Sequence, residues 1–169
     1  MIMEFAVEKA KENCMIRLII GPSPRTIFLP ADYQLTPGQG VALTEGADAV
    51  LFAYGPVMIH EALTAAEMLA DKGRLVRVIN MPWLNRIDPI WLAKQLKNVA
   101  QVLVVEDHAP YGALADNLLS TMIKADIPIP PRFEVAGVEG YPACGTPSEA
   151  LRFHKLDGVS LANRIGSLK

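Results

Sequence analysis

Val102-Leu103-Val104-Val105-Glu106-Asp107-His108 is an unbroken aliphatic run that ends in two carboxylates and an imidazole. Four consecutive aliphatic residues suit a strand covered on both faces, the pattern of parallel sheets packed under helices. Charged groups are not left unpaired inside such a sheet, so Glu106, Asp107 and His108 belong where the strand leaves it. That is the carboxyl edge, where open α/β sheets place ligands and partners.

Moving outward from this run, strands and helices alternate at short spacing. Residues 49–54, Ala-Val-Leu-Phe-Ala-Tyr, read as a strand stopped by Gly55-Pro56. Ile59, Ala62, Leu63, Ala66, Leu69 and Ala70 then follow three-and-four spacing, a helix face turned to a sheet, with Gly73 as its left-handed stop. Residues 75–79 form the next strand. Asp88-Pro89 opens a helix, because Asp88 caps orphan amides and Pro89 loses nothing at the first position. After the central run come a helix over 112–124, an extended Pro-rich connector over 127–131 and a strand over 132–135. Thr146-Pro147-Ser148-Glu149 is a capping box. Asp157 stands ready to cap a closing helix, with Val159, Leu161, Ala162 and Ile165 on its core side. Such alternation means right-handed crossovers and a three-layer α/β fold, a mainly parallel sheet with helices on both faces.

The beginning of the chain reads differently. Residues 4–12 are helical in pattern and 14–20 read as a strand, but 21–40 contain Pro22, Pro24, Pro30 and Pro37. Proline fixes φ and removes a donor, so this stretch is a linker rather than an element. Residues 41–43 suit a short edge strand. Residues 1–37 are therefore expected to be a stub and linker, and 38–169 the main domain.

A chain of 169 residues, 51% hydrophobic and 20% charged, can bury a core and is not disordered. A net charge of -2 offers no basic stripe for nucleic acid. No apolar stretch reaches membrane-spanning length, and the one near residue 15 is too short and too late for a secretory signal. The expectation is a cytoplasmic protein with neither nucleic acid nor membrane as partner. Cys14 and Cys144 lie far apart without a Cys-x-x-Cys spacing, so both read as reduced thiols.

The candidate chemical motifs are sparse. Gly38-Gln39-Gly40 lies between coil and a weak strand, so it cannot set a pyrophosphate on a helix N-terminus. Gly55-Pro56 does join a strand to a helix, but an ordinary tight turn accounts for it. Glu106 and His108 are two apart and point the same way from an extended backbone. A metal or acid–base site needs a third convergent group, and neither His60 nor His154 has ligand spacing to them. No catalytic, cofactor-binding or metal-ligating residue is assigned. The strand ends, with Gly55, Asn80, Glu106, Asp107 and His108, form a candidate interface or effector pocket, in which pairing across an interface or capping of the following helix is the simplest role. Trp83 and Trp91, flanking Asp88, suit core or interface anchors.

In order and spacing these segments resemble the C-terminal domain of transketolase-type thiamine diphosphate enzymes. The matching pieces are Gly46-Ala47-Asp48-Ala49-Val50-Leu51-Phe52-Ala53-Tyr54-Gly55, Ala62-Leu63-Thr64-Ala65-Ala66-Glu67-Met68-Leu69 and Gly73-Arg74-Leu75-Val76-Arg77-Val78-Ile79-Asn80. Ile87-Asp88, Val105-Glu106-Asp107-His108 and Gly112-Ala113-Leu114 follow, so the likeness covers about 38 to 167. Arg86 stands where the family commonly has proline, and Ala113 and Ala115 replace glycines. Ile16-Arg17-Leu18 resembles the end of the preceding pyrimidine-binding domain, whose arginines help hold sugar phosphate. Arg17 and Arg25 stand in that region.

The resemblance implies a section or subunit that is inactive alone, supporting domain packing and a homodimer. In the full assembly, which transfers a ketol unit between sugar phosphates, complementary domains or a partner subunit would carry thiamine diphosphate and a divalent metal. It also implies that Leu156-Asp157-Gly158 is no diphosphate motif, because a downstream asparagine partner is wanting. An effector role at the strand ends is implied for some members. The corresponding domain of a 2-oxoacid dehydrogenase E1 β subunit and a stand-alone α/β small-ligand-binding module are the alternatives.

Overall fold

The computed structural model describes residues 1–19 and 21–167. Among the described residues five strands form one sheet: β1 (Val41–Ala42), β2 (Ala49–Ala53), β3 (Val76–Asn80), β4 (Gln101–Val105) and β5 (Arg132–Ala136). Their order is β1-β3-β2-β4-β5, with β1 antiparallel to β3 and every other pair parallel. The helices are α1 (Ile2–Glu4), continued by a π-helical turn over Phe5–Lys9, α2 (Pro56–Ala70), α3 (Pro89–Leu96), α4 (Leu114–Lys124), α5 (Pro147–Phe153) and α6 (Gly158–Gly166).

Two cores lie on opposite sides of the sheet, and the two-residue period of a strand divides them. Ala49, Leu51 and Ala53 of β2, Val76 and Val78 of β3, and Leu103 and Val105 of β4 pack with α2 and α6. Val50 and Phe52, Ile79, and Val102 and Val104 turn the other way, into α3 and α4. Every residue of β2 and β4 is buried, which explains why both read as continuous apolar runs. The three-layer, mainly parallel architecture expected from the sequence is the one observed.

Local signals set several boundaries. Asp88 accepts from the amides of Ile90 at 2.9 Å and Trp91 at 3.1 Å, starting α3 at Pro89. Thr146 and Glu149 form the reciprocal capping box of α5. β1 is short because Thr44 replaces the ladder with its side chain: its hydroxyl donates to Val76 O at 2.7 Å and accepts from Val78 N at 2.8 Å.

Four local expectations are corrected. Residues 14–19 form no strand, since among the described residues no neighbouring strand reaches them, and Ile20 lies outside the described residues. The N-terminal helical pattern yields only the short α1 and its π turn rather than a helix over 4–12. Val159 is half exposed: Gly158, Leu161, Ala162 and Ile165 share the buried stripe of α6, and Val159 falls about 100° from it. Asp157 occupies the cap position, but its carboxylate accepts from the Ser160 hydroxyl, and Glu61 of α2 takes the Gly158 N–H instead.

Candidate functional site

β2 and β4 are paired with Val50 level with Val102 and Phe52 level with Val104. Continuing that register by one pleat sets Tyr54 beside Glu106, on the α3/α4 side and at the carboxyl edge. Glu106 is fully buried. Its Oε2 is 2.6 Å from the Tyr54 hydroxyl, and its Oε1 accepts from the Ala115 N–H at 2.8 Å. Ala113 offers no side-chain cap to α4, so Glu106, the residue just after β4, satisfies one of that helix's orphan amides.

His108 extends the network. Its Nε2 lies 2.9 Å from the Tyr54 hydroxyl, and its Nδ1 lies 2.9 Å from the carbonyl of Ala109. A carbonyl only accepts, so Nδ1 carries a proton. Burial, then the hydrogen bond to Glu106, pushes the Tyr54 phenol well above its ordinary value and keeps it protonated. No sequence signal flagged Tyr54 as a site residue. Its visible role was the last apolar position of a strand, and only the register between β2 and β4 places its hydroxyl between Glu106 and His108.

Asp107 points away from this trio and pairs with Arg17 of the N-terminal segment. Gly55 begins α2 at φ 72° and ψ 150°, backbone that L-residues rarely adopt, and a Cβ there would meet only Asp107 Oδ2 at 4.0 Å. Asn80 ends β3, level with Ala53 and opposite Val41 of β1. Gly55, Asn80, Glu106, Asp107 and His108 thus share one edge, but Glu106 and His108 are turned on Tyr54, and Asp107 on Arg17. An open apolar groove of about 510 Å³ lies elsewhere, along Pro89, Ile90, Ala93 and Ile127 between α3 and the end of α4.

Arg25 makes the second attachment of the N-terminal segment. Its guanidinium donates to Glu67 at 2.7 Å, to His60 Nδ1 at 3.0 Å and to Thr64 at 3.3 Å, all on one face of α2. The Glu67 hydrogen bond raises Arg25 above its ordinary value and lowers Glu67 below the usual carboxylate range. Trp83 stacks edge-on with Phe5 at 5.2 Å, and its buried indole N–H has no partner among the described residues. Trp91 packs edge-on against Phe52 at 6.4 Å, an anchor of the α3 core. Cys14 and Cys144 are exposed free thiols.

The described residues do not fit a metal-held diphosphate. Among them no three His, Cys, Asp or Glu side chains converge. In Leu156-Asp157-Gly158 both the carboxylate and the glycine amide are engaged by Ser160 and Glu61. Among the described residues, no helix is long and apolar enough to cross a membrane.

Fold and edge together define a three-layer α/β domain whose strand-end polar groups are turned on one another. Residues 38–160 match the family model described as "Transketolase, C-terminal domain", and the chain belongs to that family. It is 28% identical over 137 residues to an apulose-4-phosphate transketolase subunit of Actinobacillus succinogenes, covering 81% of this chain and 44% of that protein. It is 27% identical over 168 residues to transketolase-like protein 2 of Mus musculus, covering 98% of this chain and 25% of that protein. A solved structure titled "Split gene transketolase, inactive beta4 tetramer" superposes with a TM-score of 0.73 at 27% identity, covering 84% of this chain and 45% of that one. The chain therefore spans less than half the length of each of these relatives.

Proposed function

We propose that this chain serves as the C-terminal section or subunit of a transketolase-type enzyme, completing an assembly whose other polypeptide or domains hold thiamine diphosphate and its divalent metal. One observation carries the reading: a family match over 38–160 in a chain that covers 44% of an apulose-4-phosphate transketolase subunit. In that assembly the reaction is ketol transfer between sugar phosphates, and this chain supplies packing surface and a dimer contact in the cytoplasm. Residues 1–37 act as the end of a preceding pyrimidine-binding domain with its linker, and 38–169 as the C-terminal domain. The edge formed by Gly55, Asn80, Glu106, Asp107 and His108 is the interface on which that preceding segment sits. The Arg17–Asp107 pair supports this role, since a cation from the segment already meets the edge there.

Calorimetric titration of the purified chain with thiamine diphosphate and magnesium tests the reading, together with a ketol-transfer assay in the presence and absence of a complementary cofactor-holding chain. The expected result is no binding and no turnover alone, with turnover restored in the mixture. Tight cofactor binding, or turnover by the isolated chain, overturns it.

A further inference from the structure

We propose that Glu106, Tyr54 and His108 form a one-proton latch, in which the loop 107–111 is held to the end of β2 only while Glu106 and His108 carry one extra proton between them. "Extra" is counted from an ionised carboxylate and a neutral imidazole. This device is independent of the family role and rests on hydrogen-bond geometry alone.

The Ala109 carbonyl fixes a proton on His108 Nδ1. Two side chains compete for the single hydroxyl proton of Tyr54, Glu106 Oε2 at 2.6 Å and His108 Nε2 at 2.9 Å, while the Asp107 backbone N–H faces the phenol oxygen and can only donate. If the hydroxyl donates to Glu106, Nε2 must carry a second ring proton and donate to the phenol oxygen; His108 is then an imidazolium. If the hydroxyl donates to His108 instead, Glu106 must be protonated to donate to the phenol oxygen. Both arrangements hold the same number of protons, and Glu106 Oε1 accepts from Ala115 in either. Remove that shared proton and the single hydroxyl proton can no longer serve both neighbours. The Glu106 carboxylate, an anion, holds it in preference to a neutral imidazole, so the contact that breaks is one of His108: Nε2 faces the phenol oxygen lone pair to lone pair, or Nδ1 faces the Ala109 carbonyl in the same way.

The loop that would loosen carries Asp107, which holds Arg17. Its backbone is tied to the chain after β5, where Val138 N donates to His108 O at 2.8 Å. The charged groups around the latch are already matched. Asp107 is paired with Arg17, Asp116 at the start of α4 accepts from the Gly112 N–H, and Glu134 of β5 is paired with Arg132. None of them supplies a substitute proton to Tyr54. Because the closed latch is the proton-bound form, raising the pH opens it and weakens the seat of the N-terminal segment.

The test measures amide hydrogen exchange in 107–111 across pH, corrected for intrinsic rates, alongside long-range ¹H–¹⁵N spectra of the histidine rings in the full chain. Wild type is expected to lose protection roughly tenfold as pH rises, the scale of one buried polar contact, in step with a change in the His108 ring protonation pattern. Glu106→Gln is expected to abolish the dependence. Its amide nitrogen donates to Tyr54, its carbonyl accepts from Ala115, and the Tyr54 proton is then free for a neutral His108. A wild-type loop without pH dependence, or a Glu106→Gln loop that retains it, overturns the proposal. Should Glu106→Gln fail to fold, Tyr54→Phe decides: exchange in 107–111 that still follows the His108 titration without the hydroxyl overturns the latch, and its uncoupling supports it.

Discussion

The Gly158 N–H donates to the Glu61 carboxylate at 2.6 Å, joining the first turn of α6 to α2 across 97 residues of chain. An anion at a helix N-terminus matches the orphan amides and the helix dipole there. The contact requires α6 to sit very close to α2. A Cβ on Gly158 would lie 2.7 Å from Thr64 Cγ2, 2.8 Å from Thr64 Cβ and 3.1 Å from the Glu61 carbonyl oxygen.

Gly158→Ala is therefore expected to destabilise the domain by about 1–3 kcal/mol, the usual scale of overpacking. Gly158→Ala combined with Thr64→Ser, which removes the nearer of the two obstructing Thr64 carbons and leaves Cβ, is expected to recover only part of that loss. Urea unfolding of the two variants checks both statements. Equal midpoints for wild type and Gly158→Ala would refute the close contact.

Gly55→Ala carries a different penalty. The obstacle is backbone strain rather than crowding, since a Cβ would find open space but φ and ψ lie where L-residues are rare. A loss of about 1–3 kcal/mol is expected, with no compensating second-site change of side-chain size. Thermal melts of Gly55→Ala alone and with Asp107→Ala distinguish the two causes, because relief by the second substitution would point to a steric clash.

Asp88 supplies an acid-sensitive contribution. Hydrogen bonding to the Gln39 amide, then to the Trp91 and Ile90 N–H groups, holds its carboxyl below the usual carboxylate range. The folded form thus releases this proton more readily than the unfolded chain. The stabilisation is complete above roughly pH 4, the unfolded value, and disappears as pH falls through the lower folded value. Asp88→Ala is expected to cost about 1 kcal/mol at pH 7, and the gap to wild type should narrow in strong acid. Unfolding curves that stay equally separated from pH 7 to pH 2 would contradict this.

Arg25→Gln is expected to release the N-terminal segment without unfolding the domain. Glu67 is exposed and Arg25 half-buried, so the pair is well screened on one side and its loss should shift global stability by about 1 kcal/mol or less. Limited trypsin digestion at Lys11 and Arg17 is the sensitive measure, and cleavage there should accelerate several-fold. Unchanged cleavage would show that the segment is held elsewhere.

Legibility of the fold followed burial. β2 and β4 are covered on both faces, so Val50-Leu51-Phe52 and Val102-Leu103-Val104-Val105 had to be apolar throughout, and a parallel sheet was readable from them. α3 and α5 announced themselves through Asp88-Pro89 and Thr146-Glu149, because capping is a local interaction between residues two or three apart. Residues 14–19 have strand-like composition yet form no strand, since composition cannot supply a neighbour to pair with. Val159 looked like a core residue for the same reason: hydrophobicity was visible, but the angular position of the α6 stripe was set by Gly158 meeting Glu61 and Thr64.

By itself, the sequence determined the order of strands and helices from Val41 onward, the caps of α3 and α5 and the carboxylate-rich end of the central strand, since these depend on residues a few positions apart. Tertiary structure alone decided that Tyr54 lies between Glu106 and His108, that of the two simple roles open to Glu106 it takes the capping of α4, and that Arg17 and Arg25 fasten the first segment to Asp107 and α2. These contacts join residues 9 to 90 positions apart. Their geometry comes from strand register and helix docking, which no local pattern encodes.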